Sequence, residues 1–333
     1  MKRTHIAIAL VLWGFAQIAE AQNMYRNYLS SNISEPESAV SVVHSNGYVY
    51  FFQTEKRILS VTELDPVHLN PTGNDKLFDL SQNPAVFKFV FEGAFEGFGG
   101  NIVLYGYHNT QYTLWNPIVI IFDPTLQSLQ YIPLSNNGTF TEGCAGCNSF
   151  GDKIYAFIFN DRELFVVEES NLTSTPIVFE SYAFNSYAFY TDISWDATYN
   201  KFIASGSYCS SATQWTGPFV DMLEVNVGSL SHQMYYLDNQ TYYDYSVGKA
   251  MHVKIDNDHL LVFHGLRDSD VDILWMSLVK NYSNLNHGVV DSWFYYLPCS
   301  KTIPSDLIYD VVNHRFNFLG DLNFCSISPY CES

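Results

Sequence analysis

Three aspartates at alternate positions form the clearest candidate for a metal site in this sequence. Asp268, Asp270 and Asp272 lie in the run Asp-Ser-Asp-Val-Asp, and carboxylate oxygens at every second position are the donors that Ca²⁺ loops use. The sixth position of the loop is Ile273 rather than glycine, and Val279 stands where such loops place a bidentate glutamate. The pattern therefore predicts either a Ca²⁺ site or a solvated loop, and no other cofactor.

Three histidines, His252, His259 and His264, occur close together in the sequence with Asp256 and Asp258. His259 and His264 are separated by an odd number of residues in a predicted strand, so their side chains point to opposite faces. Three convergent ligands are therefore not expected. No nucleophile elbow and no zinc-protease motif is present, so we predict no catalytic residue.

Six cysteines make up the next group of residues with possible chemistry. Cys144 and Cys147 have the spacing of a redox motif, but no βαβ unit surrounds them. An even number of cysteines in a secreted chain instead predicts disulfides, for which the candidates are Cys144, Cys147, Cys209, Cys299, Cys325 and Cys331. We expect Cys209 to pair with Cys144 or Cys147, and Cys299 with Cys325 or Cys331.

An aromatic stretch is the candidate for ligand binding. Tyr182, Phe184, Tyr187 and Tyr190 could form a platform for a sugar or a protein, because aromatic side chains dominate such contacts. The alternative is a chain crossing that packs these rings into the core, which is the commoner fate of aromatic residues.

The first residues have the pattern of a secretory signal peptide. Lys2 and Arg3 precede an apolar stretch shorter than the ~20 residues of a membrane span, and Ala19-Glu-Ala21 fits the cleavage rule. We therefore expect residues 1–21 to be a signal peptide and residues 22–333 to be a single secreted, extracellular domain. Glycosylation sequons occur at Asn32, Asn137, Asn171, Asn239 and Asn281.

The charge of the chain excludes one class of partner. The formal net charge is −18, which repels phosphate backbones and anionic lipid surfaces. We therefore predict no nucleic-acid partner and no membrane insertion. Aromatic residues make up 17% of the chain and charged residues only 15%, which is not the composition of a disordered protein.

A unit of roughly fifty residues recurs along the chain, as in blade repeats. Each unit contains a turn residue followed by an apolar strand, which we call strand B. The six instances begin at Gly47, Asn101, Asp152, Asn200, Asp258 and Asn313. A short apolar strand A precedes each one, and strands C and D follow it.

The repeat predicts an all-β fold, namely a six-bladed β-propeller of four-stranded antiparallel blades. The last unit lacks a strand D, and Met24–Leu29 resembles the D strands His232–Leu237 and Trp293–Leu297. We expect this N-terminal strand to close the ring, which removes an exposed sheet edge. Glu142, Asp192 and Asp306 then fall in or near the A strands that line the central channel.

The segment Ile121-Phe-Asp-Pro-Thr125, followed by Leu129-Gln-Tyr-Ile-Pro-Leu134, resembles the C–D hairpin of kelch repeats. A glycine ends strand B in four units, where kelch repeats carry two, at Gly106, Gly206, Gly265 and Gly320. The resemblance to this family implies a propeller and no particular activity.

Three functions are compatible with these patterns. The first is a secreted, non-catalytic propeller that binds an extracellular protein or glycan through loops on one face. The second is an extracellular glycan-active hydrolase or lyase that uses carboxylates or histidines of the central channel. The third is a structural component of an extracellular matrix.

Overall fold

The chain folds into consecutive antiparallel sheets of four strands, which we call blades. The computed structural model describes residues 38–65, 70–80, 88–109, 115–134, 138–170, 174–177, 188–211, 214–226, 228–237, 242–243, 245–268, 271–280, 282, 289–297, 304–310 and 315–320. In these ranges the structure is all-β except for one short 3-10 turn at Phe98–Gly100. None of their helical segments is long and apolar enough to cross a bilayer.

Within each blade the strands follow one another in space in chain order. Blade 1 contains β1 (Ser38–Val43), β2 (Val49–Glu55), β3 (Ile58–Leu64) and β4 (Lys76–Asp79). Blade 2 contains β5 (Lys88–Glu96), β6 (Ile102–Asn109), β7 (Trp115–Asp123) and β8 (Ser128–Pro133). Blade 3 contains β9 (Phe140–Cys147), β10 (Lys153–Phe159), β11 (Glu163–Glu168) and β12 (Ser174–Ile177).

The later blades repeat this plan. Blade 4 contains β13 (Ala188–Asp196), β14 (Lys201–Ser211), β15 (Gln214–Asn226) and β16 (Ser229–Tyr236), and the short β17 (Tyr242–Tyr243) pairs with β15. Blade 5 contains β18 (Tyr245–Lys254), β19 (His259–Asp268), β20 (Val271–Lys280) and β21 (Val289–Leu297). A hairpin of β22 (Pro304–Asp310) and β23 (Arg315–Gly320) follows.

Contacts between neighbouring blades give the arrangement of a propeller. The first strand of every sheet packs against the first strand of the next sheet, from β1 to β5, β9, β13, β18 and β22. The fourth strands lie outside, since β4 and β16 alternate between exposed and half-buried residues. The predicted all-β fold of four-stranded antiparallel blades is therefore confirmed. The predicted ring-closing strand Met24–Leu29 lies outside the described residues.

Apolar side chains fill the space between successive blades. Rings of Phe52 and Phe91 meet edge to face between blades 1 and 2, and Phe140 and Phe157 pack between blades 2 and 3. Further cores lie between blades 3 and 4 and between blades 4 and 5. Such cores need both faces of a strand to be apolar, which explains why the B strands are nearly continuous hydrophobic runs.

Most predicted strands agree with the structure. A strand C follows strand B in blade 1, as predicted, and spans Ile58–Leu64. The glycine-rich segment from Gly93 to Gly100 belongs partly to a strand and partly to a turn. Strand β5 continues through Glu96, and the turn begins only at Gly97.

A β-bulge interrupts the first strand of four blades and of the last hairpin, and a glycine of strand B faces it in most of them. The register shifts at Phe91/Gly93, where Phe91 pairs with Gly106, and at Tyr190/Asp192, where Tyr190 pairs with Gly206. The same shift occurs in β9, in β18 opposite Gly265, and in β22 beside Gly320. The glycines that suggested a kelch-like strand end thus mark the bulge.

The close approach of two backbones explains these glycines. A Cβ atom on Gly106 would lie 2.1 Å from the carbonyl oxygen of Val90, and one on Gly206 would lie 2.0 Å from that of Phe189. No side chain fits at such distances unless the ladder moves. The bulges of blades 2 and 4 therefore require glycine at the facing position.

We predict that Gly206→Ala lowers the free energy of unfolding by about 3 kcal/mol or more, because the clash is with main-chain atoms that cannot rotate away. Chemical denaturation of the purified protein measures the loss. Gly73→Ala is the matched control, since Gly73 has a φ of 89° but open space around it. It should cost only the ~1–2 kcal/mol of a left-handed conformation. Equal losses in the two variants would contradict the backbone explanation.

Candidate functional site

The bulge at Thr191 turns polar residues of β13 towards blade 5. Tyr190 and, beyond the bulge, Ile193 both face the core shared with blade 3. Because side chains alternate along a strand, Asp192 and Ser194 then point to the other side, where β18 lies. Bulges re-aim side chains in this way at many functional sites. The result is a row of polar groups between blades 4 and 5, which we call the polar seam.

His252 of β18 is the centre of the polar seam. Its Nε2 lies 2.6 Å from the hydroxyl oxygen of Ser194, and its Nδ1 lies 3.0 Å from that of Ser205. The carboxylate of Asp192 accepts the backbone N–H of His252 at 2.7 Å and stands 2.9 Å from Nδ1. Two serines, a histidine and an aspartate are therefore brought together from three strands.

The hydrogen bonds assign the protons of this group. The Ser205 hydroxyl donates to the carbonyl oxygen of Ala250 at 3.3 Å, so its oxygen accepts from Nδ1–H of His252. In a neutral imidazole the other nitrogen is then an acceptor. Nε2 consequently accepts from the hydroxyl of Ser194, which is the orientation in which histidine serves as a general base.

The residues of the polar seam differ in their exposure to solvent. The His252 side chain is buried, as is Ser205, whereas Ser194 is half-buried and the Asp192 side chain is 19% exposed. Of the serine and histidine that are hydrogen-bonded to each other, Ser194 is therefore the one that is partly exposed.

A second charged contact closes the seam at one end. Lys254 donates to Asp196 at 2.6 Å, and the hydroxyl of Tyr282 donates to the other oxygen of that carboxylate. Burial acts to raise the pKa of Asp196, but these bonds and the N–H of Thr198 outweigh it, so the pKa lies below its ordinary value. The carboxylate stays ionised and ties the two blades together.

The A–B and C–D turns of the blades lie on one face of the molecule, which we call the turn face. His44 Nε2 contacts the carbonyl oxygen of Gly100 at 2.8 Å across blades 1 and 2. The hydroxyl of Tyr199 donates to the carbonyl oxygen of Asn257 at 2.8 Å across blades 4 and 5. These bonds join A–B turns of adjacent blades, so the turns share one face.

Four blades present an apolar side chain on the turn face. Tyr48, Phe150 and Ile255 occupy the A–B turns of blades 1, 3 and 5 and are 38%, 73% and 45% exposed. Leu126 in the C–D turn of blade 2 is 73% exposed. Such side chains on several blades are a feature of binding surfaces rather than of ordinary turns, which favour polar residues.

Exposed carboxylates lie in or beside the turns of two of these blades. Asp152, Glu168, Asp256 and Asp258 are all exposed in or beside the turns of blades 3 and 5. Two lysines beside these turns contact other residues. The ammonium of Lys153 lies 5.2 Å from the ring centre of Phe98, and that of Lys254 binds Asp196. The turn face is therefore both apolar and acidic.

The predicted aromatic platform is only partly described. Tyr190 is fully buried, packs against Phe219 at 4.9 Å between ring centres, and donates its hydroxyl to Asp221 at 2.6 Å. It is a core residue, in accord with the alternative of a packed crossing. Tyr182, Phe184 and Tyr187 lie outside the described residues, so their role stays a prediction.

The predicted metal and disulfide residues are resolved to different extents. Asp268 ends β19 and Asp272 lies in β20, so the hairpin between them is tight, while Asp270 is outside the described residues. The described part of the chain contains no cluster of metal-ligating side chains. The five glycosylation candidates, Asn32, Asn137, Asn171, Asn239 and Asn281, also lie outside it.

Cys144 and Cys147 are free thiols in the structure. Cys144 is buried in the core between blades 3 and 4, where burial raises the pKa of its thiol well above the usual range. The two thiols are three residues apart on one strand and therefore point to opposite faces. A redox pair is not formed there, and the bridge predicted to Cys209 is not made. Cys299, Cys325 and Cys331 are outside the described residues.

Sequence reasoning placed Asp192 near the channel and noticed His252, but it missed Ser194 and Ser205. Nothing in the composition of β13 distinguishes Ser194 from an ordinary strand residue. The pairing of Asp192 and Ser194 at alternate positions is a signal only if the bulge at Thr191 is known, since the bulge decides which blade they face.

Comparison with known proteins gives likeness in structure but none in sequence. No protein-family model and no curated protein matches this chain. The β-propeller domain of Nup133 from Vanderwaltozyma polyspora is 11% identical, with a TM-score of 0.45 over 84% of this chain and 79% of that one. An ACO/RPE65 chimera is 8% identical, with a TM-score of 0.47, and 80% of this chain corresponds to 62% of it.

An endo-arabinase from Bacteroides thetaiotaomicron is 12% identical, with a TM-score of 0.39 over 75% of this chain and 94% of that one. Similarity at this level carries nothing about activity, because one fold serves many functions. The likeness to kelch repeats, which rests on Ile121–Leu134 and on the glycines that end strand B in four units, likewise stays a resemblance.

We predict that acid weakens the fold through His264. This side chain is fully buried, bonded to Ser207 at 2.9 Å, and its burial lowers the pKa to about 4. The unfolded chain, with an ordinary pKa near ~6.5, binds a proton between these values while the folded chain does not. The free energy of unfolding should therefore fall by up to about 3 kcal/mol between pH 7 and pH 4.

Denaturation curves at several pH values measure this slope, and His264→Gln is the variant that removes it. His259→Gln is the control, because His259 is partly exposed and paired with Asp256 at a turn. A slope that survives in His264→Gln would assign the acid sensitivity to other groups.

Proposed function

We propose that this protein is a secreted propeller that binds a cationic extracellular protein through its turn face. The observation that carries the proposal is the set of exposed apolar residues Tyr48, Phe150 and Ile255 at equivalent turns of three blades. Apolar side chains in a polar rim supply the desolvated contacts of a protein interface. The turn face is a rigid base for them because adjacent turns are hydrogen-bonded to each other.

Charge complementarity selects the chemistry of the partner. The carboxylates Asp152, Glu168, Asp256 and Asp258 lie close to Phe150 and Ile255, and the whole chain has a net charge of −18. A partner surface with lysine or arginine around an apolar centre is attracted and oriented by this field. The sequence also suggested a glycan as the ligand. A glycan carries no positive charge to complement the acidic turn face unless it has amino groups.

The remaining parts of the proposal concern the whole chain. Residues 1–21 act as a signal peptide, and residues 22–333 form six blades. The hairpin of β22 and β23 is the start of the sixth blade, and Met24–Leu29 completes it. Support comes from β22 packing against β18 as the earlier first strands pack against each other.

The binding proposal is tested with a panel of purified extracellular proteins and a glycan array, using the mature protein as the probe. We expect binding to basic proteins that weakens as salt rises, and a loss of at least about tenfold in affinity for Phe150→Ser. Trp115→Ser is the matched control, because Trp115 is 46% exposed but lies at the start of β7, on the opposite face. Binding only to glycans, or equal effects of the two variants, would overturn the proposal.

Ring closure has its own test. Deleting residues 22–31 from the mature protein should lower the melting temperature and promote self-association, because the last blade then exposes an unpaired edge. Differential scanning calorimetry and light scattering measure the two effects. A truncated protein that is as stable and as monomeric as the full mature chain would contradict closure by this strand.

A further inference from the structure

We propose that Ser194, His252 and Asp192 form a serine acyl-hydrolase site on the axial wall between blades 4 and 5. This activity is independent of partner binding at the turn face. Ser194 is the nucleophile, His252 is the general base, and Asp192 and Ser205 position the imidazole. The substrate class is a carboxylic ester without negative charge.

The geometry of the three groups carries this assignment. The hydroxyl of Ser194 donates to Nε2 of His252 at 2.6 Å, which is the contact through which a base removes the proton of a nucleophile. On the far side of the ring, the Asp192 carboxylate stands 2.9 Å from Nδ1 and stabilises the imidazolium that forms. Such a site is recognised by geometry and roles rather than by order in the chain.

The base of the proposed site is buried and its nucleophile is partly exposed, as a substrate site requires. His252 is held by Ser205, Asp192 and the surrounding strands, so it cannot rotate away from Ser194. Ser194 is half-buried, so part of this residue is exposed to solvent and to a substrate. A histidine that served only to fasten two blades would gain nothing from a partly exposed partner.

A second serine–histidine pair in the same two blades provides the comparison. Ser207 contacts Nε2 of His264 at 2.9 Å, but both side chains are buried. Burial lowers the pKa of His264, so this imidazole is a poor proton acceptor. The Ser207 pair is a structural contact between blades, and it differs from the Ser194 pair in access, since Ser194 is half-buried and Ser207 is fully buried.

The reaction balances with water as the only co-reactant. The oxygen of Ser194 bonds to the carbonyl carbon of the ester while its proton passes to Nε2 of His252. The bond from that carbon to the alcohol oxygen breaks, and the proton on Nε2 goes to the leaving alkoxide. Water then attacks the acyl group on Ser194, with His252 taking and returning a proton, and releases the carboxylic acid.

The class of substrate follows from the surroundings. An alkoxide is a better leaving group than an amide nitrogen, so a serine–histidine pair acts on esters before amides. Asp192 beside the serine repels anionic acyl groups, which favours neutral or cationic esters. p-Nitrophenyl acetate is a neutral ester of suitable size and serves as the probe.

The test is covalent labelling of the mature protein by a fluorophosphonate, with the modified residue located by peptide mass spectrometry. The serine oxygen displaces fluoride from phosphorus, so labelling reports the activated nucleophile itself. We expect the label on Ser194, no label in Ser194→Ala, and labelling at least about 100-fold slower in His252→Gln. Ser207→Ala is the matched control and should label at the rate of the unmodified protein.

Hydrolysis of p-nitrophenyl acetate provides the second readout. Ser194→Ala should abolish turnover without lowering the melting temperature by more than a few degrees, since it removes a single hydroxyl. Asp192→Asn should lower kcat roughly tenfold or more and leave KM unchanged, because the carboxylate acts through the imidazole and not on the ester. Absence of label on Ser194 in the folded protein would overturn the proposal, as would equal labelling of Ser194→Ala.

Discussion

The close approach of two main chains at the β-bulges of blades 2 and 4 is the constraint that decides which side chains of a first strand face which neighbouring blade. In blade 4 the glycine at 206 lets strand A come within a distance that no Cβ tolerates. The extra residue inserted there reverses which side the following residues face. In blade 4, the apolar residues Tyr190 and Ile193 on either side of the bulge then pack in the core shared with blade 3, while polar residues of the same strand contact blade 5.

As a result, the side chains of β13 are divided between two neighbouring blades. Trp195 packs on Phe202 and reaches the blade 3 side, where Gly146 leaves room for it. On the opposite side, Thr191 bonds to both the carbonyl oxygen and the N–H of Ala250. The interface of blades 4 and 5 thus combines an apolar core with hydrogen bonds between the first strands of the two blades. The same first strands carry Ser194 and His252, the nucleophile and base of the proposed site.

The sequence predicted the repeat and most of the strands because both depend on local signals. Turn residues followed by apolar runs define strand B, and Asp123 indeed caps the turn after β7 by accepting the N–H groups of Thr125 and Leu126. The bulges could not be predicted, since their extra residues, such as Thr191, have no distinct type. Without the bulge, alternation places Asp192 and Ser194 on the side of Tyr190, in the core of blade 3. The convergence of these residues could therefore not be predicted from the sequence, because it depends on a bulge that the sequence does not signal.

The turn face and the polar seam occupy different parts of the same interface, and the structure keeps them separate. Lys254, Asp196 and Tyr282 lie between Ser194 and the A–B turn that carries Ile255, and the two hydrogen bonds to Asp196 fix this end of the seam. A partner bound at the turns, as proposed above, would contact the rim of blades 4 and 5 without displacing the imidazole, which is hydrogen-bonded to Ser194 of β13 and Ser205 of β14. The two proposed activities therefore use different groups of the same interface.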